Sequence, residues 1–185
     1  MTVSGWDLLL YSGALLILFL TPGPVWLAVM ARSVSGGFRA AWPLALGVAA
    51  GDVVWPFLAI LGVSWVVQEI DGVMTGLRYV ACAVFLGMGW NAIHSANLKI
   101  AADNRLTRPG MMSGFLAGLA AILGNPKAIL FYMGVLPGFF DLTRVGTPDI
   151  AVIVVLSVVV PLTGNLGFAF VIDRMRGFLT SPDAL

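Results

Sequence analysis

An all-α integral membrane protein with five transmembrane helices is the fold this sequence predicts, on three observations. Hydrophobic residues make up 59% of the 185 and charged residues only 10%, where an ordinary soluble domain carries about 25% charged. Mean hydropathy is +0.98. Five apolar runs, residues 8–31, 40–68, 79–98, 111–140 and 150–172, each reach the roughly 20 residues that cross a bilayer. They are too long for membrane β-strands and lack the period-2 alternation of such strands.

The same composition excludes several functions. A net charge of +1 offers no attraction to nucleic acid. One cysteine, Cys82, rules out an internal disulfide or a dithiol redox pair, and is expected to be a packing residue. One histidine, His94, stands near the end of the third run, so a metal cluster and a catalytic triad both lack partners. No catalytic residue, metal or cofactor is expected, and the chain does not read as an enzyme. Asp7, with no Lys or Arg before the first run, makes that run a retained span and not a secretory leader.

Taken in order, the first span holds Thr21-Pro22-Gly23-Pro24. Its two prolines free the carbonyls of Leu18 and Leu20, so the helix should break there. A basic loop, 31–39, follows with Arg32, Arg39 and a Gly36-Gly37 pair that stops the helix. The second span carries Gly47 and Gly51 at GxxxG spacing, then Asp52 near its middle. Pro56 frees the carbonyl of Asp52 itself. A carboxylate at that depth would otherwise face hydrocarbon, which marks it as a candidate functional residue.

Glu69 and Asp71 lie in the next loop, and the third span is ordinary apart from Asn91 and His94. The loop 99–110, with Lys99, Arg105 and Arg108, separates a first repeat (1–98) from a second (111–185). The fourth span repeats the glycine spacing at Gly114 and Gly118 and then reaches Gly124-Asn125-Pro126-Lys127. Pro126 frees the carbonyl of Ile122, and a Lys at a helix centre costs roughly 2.5–3.5 kcal/mol on insertion scales. Broken backbone at membrane depth survives only beside protein or a water-filled cavity, so this stretch reads as the wall of a polar site. In the fifth span, Pro161, Thr163, Gly164 and Asn165 bring polar groups to depth, with Asn165 as possible lining. The loops after spans 1, 3 and 5 hold two, three and two basic residues, whereas the others hold about one each. The positive-inside bias then puts the loop 99–110 in the cytoplasm and the amino terminus outside.

Both Pro/Gly breaks fall at similar places in the first span of each half, the pattern of a transporter built from inverted repeats. These stretches, with Gly51-Asp52, Asn125-Pro126-Lys127-Ala128, Leu136-Pro137 and Phe139, resemble the LysE/RhtB amino-acid exporters in order and separation over nearly the whole chain. The resemblance implies a six-helix, 3+3 inverted-repeat transporter of a prokaryotic cytoplasmic membrane, exporting amino acids by proton antiport. Against that pattern the last helix is absent after Ser181-Pro182-Asp183-Ala184-Leu185, which suggests homo-oligomerisation to cover the gap, and Val25 and Gly138 stand where the family often has polar residues.

A zwitterionic substrate needs a cationic and an anionic partner. Thr21, Pro22, Gly23, Pro24, Asn125, Pro126 and Lys127 are the expected substrate-binding residues, with Lys127 and the half-helix after Asn125-Pro126 holding the carboxylate. Asp52, with the carbonyls of Leu18, Leu20 and Ile122, would hold the ammonium and exchange it for a proton. An empty site could let Asp52 and Lys127 pair. Asp52 being the only acid within a span favours neutral amino acids. Competing readings are a small-ion exporter or channel, and a membrane assembly subunit that transports nothing.

Overall fold

The computed structural model describes residues 2–63, 79, 83, 86, 90 and 109–179. Every regular element among them is helical. Cys82, Asn91 and His94 of the expected third span, and the loops on either side of it up to residue 108, lie outside the described residues.

Helix α1 (Gly5–Leu20) starts at a capping box, in which the Ser4 hydroxyl accepts from the Asp7 amide and the Asp7 carboxylate accepts from the Ser4 amide. Its 16 residues make about 24 Å, short of a ~30 Å hydrocarbon core. The chain leaves the helix at Thr21, passes an extended Gly23, and resumes as α2 (Pro24–Asp52) with Pro24 at the first helical position, where a missing N–H costs nothing.

The loop expected at 31–39 is tighter than the sequence suggested. Helical backbone continues through most of it and is interrupted at Gly37, whose φ of 70° lies in the left-handed region that glycine alone enters cheaply. Across this turn Arg32 Nε donates to the Ala40 carbonyl at 2.6 Å. Asp52 closes α2. Pro56 withholds the donor that the Asp52 carbonyl would use, and the chain re-forms as α3 (Val54–Leu58) followed by a π-helical turn, Ala59–Val63.

In the second half, α4 (Met111–Leu123) ends at Gly124, α5 (Pro126–Leu130) runs into a second π-helical turn, Phe131–Val135, and α6 (Leu136–Phe139) follows. Pro137 frees the carbonyl of Met133 inside that π-turn, which accounts for its wider winding. The last described helix is α7 (Thr147–Leu179). By length and composition alone Pro24–Gly62, which Gly37 turns back on itself, and Thr147–Arg176 are candidate membrane spans, and Met111–Leu123 with Pro126–Phe139 makes a third such segment bent by 47°. Large apolar side chains such as Ile17, Leu61, Val155 and Val171 lie exposed, as a lipid-facing surface requires.

Contacts fix the directions. Thr2 bonds Asp149, Tyr11 bonds Ser157, Phe19 abuts Gly164, Trp26 stacks on Phe168 and Gly37 abuts Asp173, so α7 runs parallel to α1 and the first part of α2. Gly23 meets Lys127 and Arg32 meets Gly110 and Gly114, so that same stretch runs antiparallel to α4 and α5. After Gly37 the order reverses, with Leu44 at Gly118 and Gly51 at Ile122. Gly37 is therefore a hairpin between two passages of chain.

The two glycine-spaced faces meet each other. A Cβ at Gly47 would fall on the Phe115 carbonyl, one at Gly118 on the Leu44 carbonyl, and one at Gly51 on Ile122. Backbones cross this closely only without side chains between them. The crossing sets α4 directly against Asp52.

Candidate functional site

The broken stretch of each half lies against the other. Pro22 deprives the Leu18 carbonyl of its helical donor, and the end of α1 leaves the Thr21 carbonyl without one. Lys127, 6% exposed, supplies both: its Nζ donates to Leu18 O at 2.7 Å and to Thr21 O at 2.5 Å. The ammonium thus sits on the negative end of the α1 dipole, the favourable place for a cation. Its stem passes Gly23, where a Cβ would lie 3.4 Å from Nζ.

The second break is closed by its own neighbours. The Asn125 side chain caps α5, its Oδ1 accepting from the Lys127 amide at 3.1 Å. The Ile122 carbonyl freed by Pro126 accepts from Trp55 Nε1 at 3.2 Å and from the Asn125 amide at 3.1 Å. At the first break the start of α2 has no side-chain cap, because the N-cap is Gly23.

Between the breaks lies a cavity of about 40 Å³ whose walls include Val25, Trp26, Asp52, Asn125, Lys127 and Asn165, with Leu18, Phe19, Val48 and Ile122 as apolar surface. At about 10–15 Å³ for each water, it holds a few waters and not an amino acid. Asp52 and Asn165 are 3% and 2% exposed. Asp52 Oδ2, Asn165 Oδ1 and Trp26 Nε1 are buried with no hydrogen-bond partner among the described residues. Unpaired buried polar atoms cost about 1–3 kcal/mol each, so three on one cavity call for a ligand or water.

The structure brings Gly23, Asp52, Asn125, Lys127 and Asn165 to this one place. Thr21 takes part through its carbonyl, since its hydroxyl donates to Ile17 within its own helix at 2.8 Å. Pro22, Pro24 and Pro126 are exposed and act by shaping backbone. Three groups expected to meet substrate or each other have partners within the protein. The carbonyls of Leu18 and Ile122 already have donors, and Lys127 engages helix α1 where a pairing with Asp52 was conceivable. The half-helix start after Asn125-Pro126, expected to receive a carboxylate, is capped by Asn125 itself. Gly138, expected near the lining, has open space around it.

Sequence reasoning missed Trp26, an indole in the first turn after a break, and a buried cluster beside the cavity. In that cluster the Tyr11 hydroxyl and Ser157 Oγ lie 2.6 Å apart, the buried Tyr132 hydroxyl lies beside that pair, and Asp52 is within electrostatic reach of both tyrosines. A Pro24-Val25-Trp26 start to a half-helix was the one available signal for the indole.

A family model described as LysE type translocator matches residues 16–181, which include both breaks. An uncharacterized membrane protein of Synechocystis sp. is 32% identical over 182 residues, covering 98% of this chain and 87% of that protein. An uncharacterized membrane protein of Pseudomonas aeruginosa is 29% identical over 170 residues, 90% of this chain and 78% of the relative. A leucine efflux protein of Salmonella typhimurium is 31% identical over 131 residues, 71% of this chain and 61% of the relative. No solved structure matches the chain.

Proposed function

The chain belongs to the LysE type translocator family, a family of transporters and not of enzymes, and from that premise we propose that it exports neutral aliphatic amino acids by proton antiport from a site between its two broken helices. The observation that carries this reading is the single cavity on which both breaks, Asp52 and Asn165 converge. Asp52 Oδ2 and Asn165 Oδ1 are acceptors in search of donors, and a substrate ammonium supplies them. Asp52 takes a proton when the ammonium leaves, which couples export to proton entry. The apolar wall of Leu18, Phe19, Val48 and Ile122 suits an aliphatic side chain. A leucine efflux protein among the relatives supports the same substrate class.

The helix directions support an inverted repeat. The broken span of each half runs antiparallel to the other, and each is accompanied by a parallel helix from the opposite half, as a two-fold axis in the membrane plane would produce. Three spans in the first half and two in the second, an external amino terminus and a cytoplasmic-membrane location complete the proposal, with a further copy of the chain as the candidate cover for lipid-exposed gaps. A cavity of about 40 Å³ corresponds to a closed form, and the walls part to admit substrate.

Efflux of labelled L-leucine from loaded cells or vesicles, with and without a proton uncoupler, tests the reading. Uncoupler-sensitive export against a concentration gradient is the expected result. Downhill flux that ignores the uncoupler would replace the antiporter with a channel, and no amino-acid flux would remove the reading altogether.

A further inference from the structure

Each break exposes two helix ends, and three of the four ends around the cavity receive at least one partner from the protein. The end of α1 receives Lys127, the end of α4 receives Trp55 and the Asn125 amide, and the start of α5 receives the Asn125 side chain. The start of α2 receives nothing. Gly23 has no side chain to cap it, Pro24 has no N–H, and the amides of Val25 and Trp26 meet no acceptor among the described residues. On the same turn, Trp26 Nε1 is buried and unpaired. Stacking on Phe168, with ring centroids 3.8 Å apart, holds that indole in place.

Val25 and Trp26 line the cavity together with Asp52 and Asn165. The residues of one wall therefore carry donors that meet no acceptor among the described residues, at the positive end of a helix dipole, and those of another carry the acceptors Asp52 Oδ2 and Asn165 Oδ1. A molecule bearing an anion and an ammonium satisfies both. Lys127 lies close by, but its ammonium is engaged by two carbonyls of α1.

We propose that the carboxylate of the transported amino acid is received by the open start of α2, at the amides of Val25 and Trp26 and the indole N–H of Trp26, and that Lys127 is a positioning residue which holds the break in shape. This assignment rests on the exporter reading and names the substrate contacts within it.

Three probes separate the contributions: L-leucine, L-leucinamide, which lacks the carboxylate, and 4-methylpentanoate, which lacks the ammonium. Their affinities are measured on the full chain in lipid nanodiscs. Trp26→Phe keeps a ring against Phe168 and removes the donor. It should weaken L-leucine about tenfold, the scale of a lost hydrogen bond to a charged group, while L-leucinamide is unchanged. Gly23→Ser places a capping oxygen where the carboxylate would go. The atoms nearest its Cβ belong to the Lys127 side chain, at 3.4–3.9 Å, and the backbone is extended, so the fold should keep or gain thermal stability while L-leucine binding falls. Lys127→Ala should weaken L-leucine and L-leucinamide alike.

A Trp26→Phe variant that leaves the ratio of L-leucine to L-leucinamide affinity unaltered would overturn the assignment. So would a selective loss of L-leucine in Lys127→Ala, which would return the carboxylate to the lysine. Should the wild-type chain bind L-leucine and L-leucinamide equally, the subsite falls and the exporter stands. Should it bind neither, the aliphatic amino-acid reading fails and takes the subsite with it.

Discussion

The two breaks differ in what finishes them. Both interrupt an apolar helix with proline, and both restart it with proline at the first helical position. The second is completed locally, since Asn125 caps the helix that follows it and Trp55 reaches the carbonyl released before it. The first depends on the second for one end, through Lys127, and has the other end open. The lesson is that similar interruptions serve different ends, with one break acting as brace and the other as opening. Within a bilayer, broken backbone survives only beside protein or a water-filled cavity, so an end that the protein leaves open falls to water or a ligand.

Removing the brace should have the largest effect. Lys127→Ala takes the donor from the part-buried carbonyl bonds of Leu18 and Thr21, so we expect about 1–3 kcal/mol of destabilisation and export at background, measured by thermal unfolding in detergent beside the efflux assay. Equal stability in the variant would mean that the breaks do not depend on each other. Next comes the crossing that holds the breaks in register. Gly118→Val drives a branched side chain into the Leu44 carbonyl and should cost about 1–3 kcal/mol, where the same change at Gly138, with open space around it, should cost little.

Asp52→Asn sharpens the comparison from the opening's side. It retains an acceptor of nearly the same shape facing the cavity, so the fold should be kept while export loses its response to the proton gradient. Normal uncoupler-sensitive efflux in that variant would take Asp52 out of the coupling. The smallest effect belongs to the cap. Asn125→Ala should cost about 1 kcal/mol of stability, as helix N-caps do, with no change in preference between a carboxylate and an amide.

Much of this was legible in the sequence because its signals are local. Proline, glycine and charge inside apolar runs announce themselves, and they marked both breaks, Asp52 and Asn165 as well as the two glycine spacings. That the glycine faces would meet each other was not written in either. The roles of the helix ends were also hidden, because they are decided at long range: Lys127 reaches carbonyls 109 and 106 positions away, and Trp55 one 67 away. A lysine in a broken helix suggested an anion site, yet the nearest unsatisfied groups were carbonyls, and they took the ammonium. Trp26 was not singled out, since the lack of a partner for an indole N–H is a property of packing alone. Tyr11 and Ser157, 146 positions apart, were invisible for the same reason. At 31–39 the basic residues suggested a loop, and helical backbone persisted because a single left-handed glycine suffices to turn the chain.

On the proposed function, substrate occupies the space between the breaks. Ala128 lines that space and is 1% exposed, so a cysteine there, in a chain whose Cys82 is replaced by alanine, reports on its occupancy. The rate of its alkylation by a small maleimide in proteoliposomes is the measurement to make. Slower labelling in the presence of L-leucine, with no such protection in Asp52→Asn at the same concentration, is the result this account predicts. Labelling that L-leucine leaves unchanged, in a protein shown to export it, would place the substrate elsewhere and contradict the account.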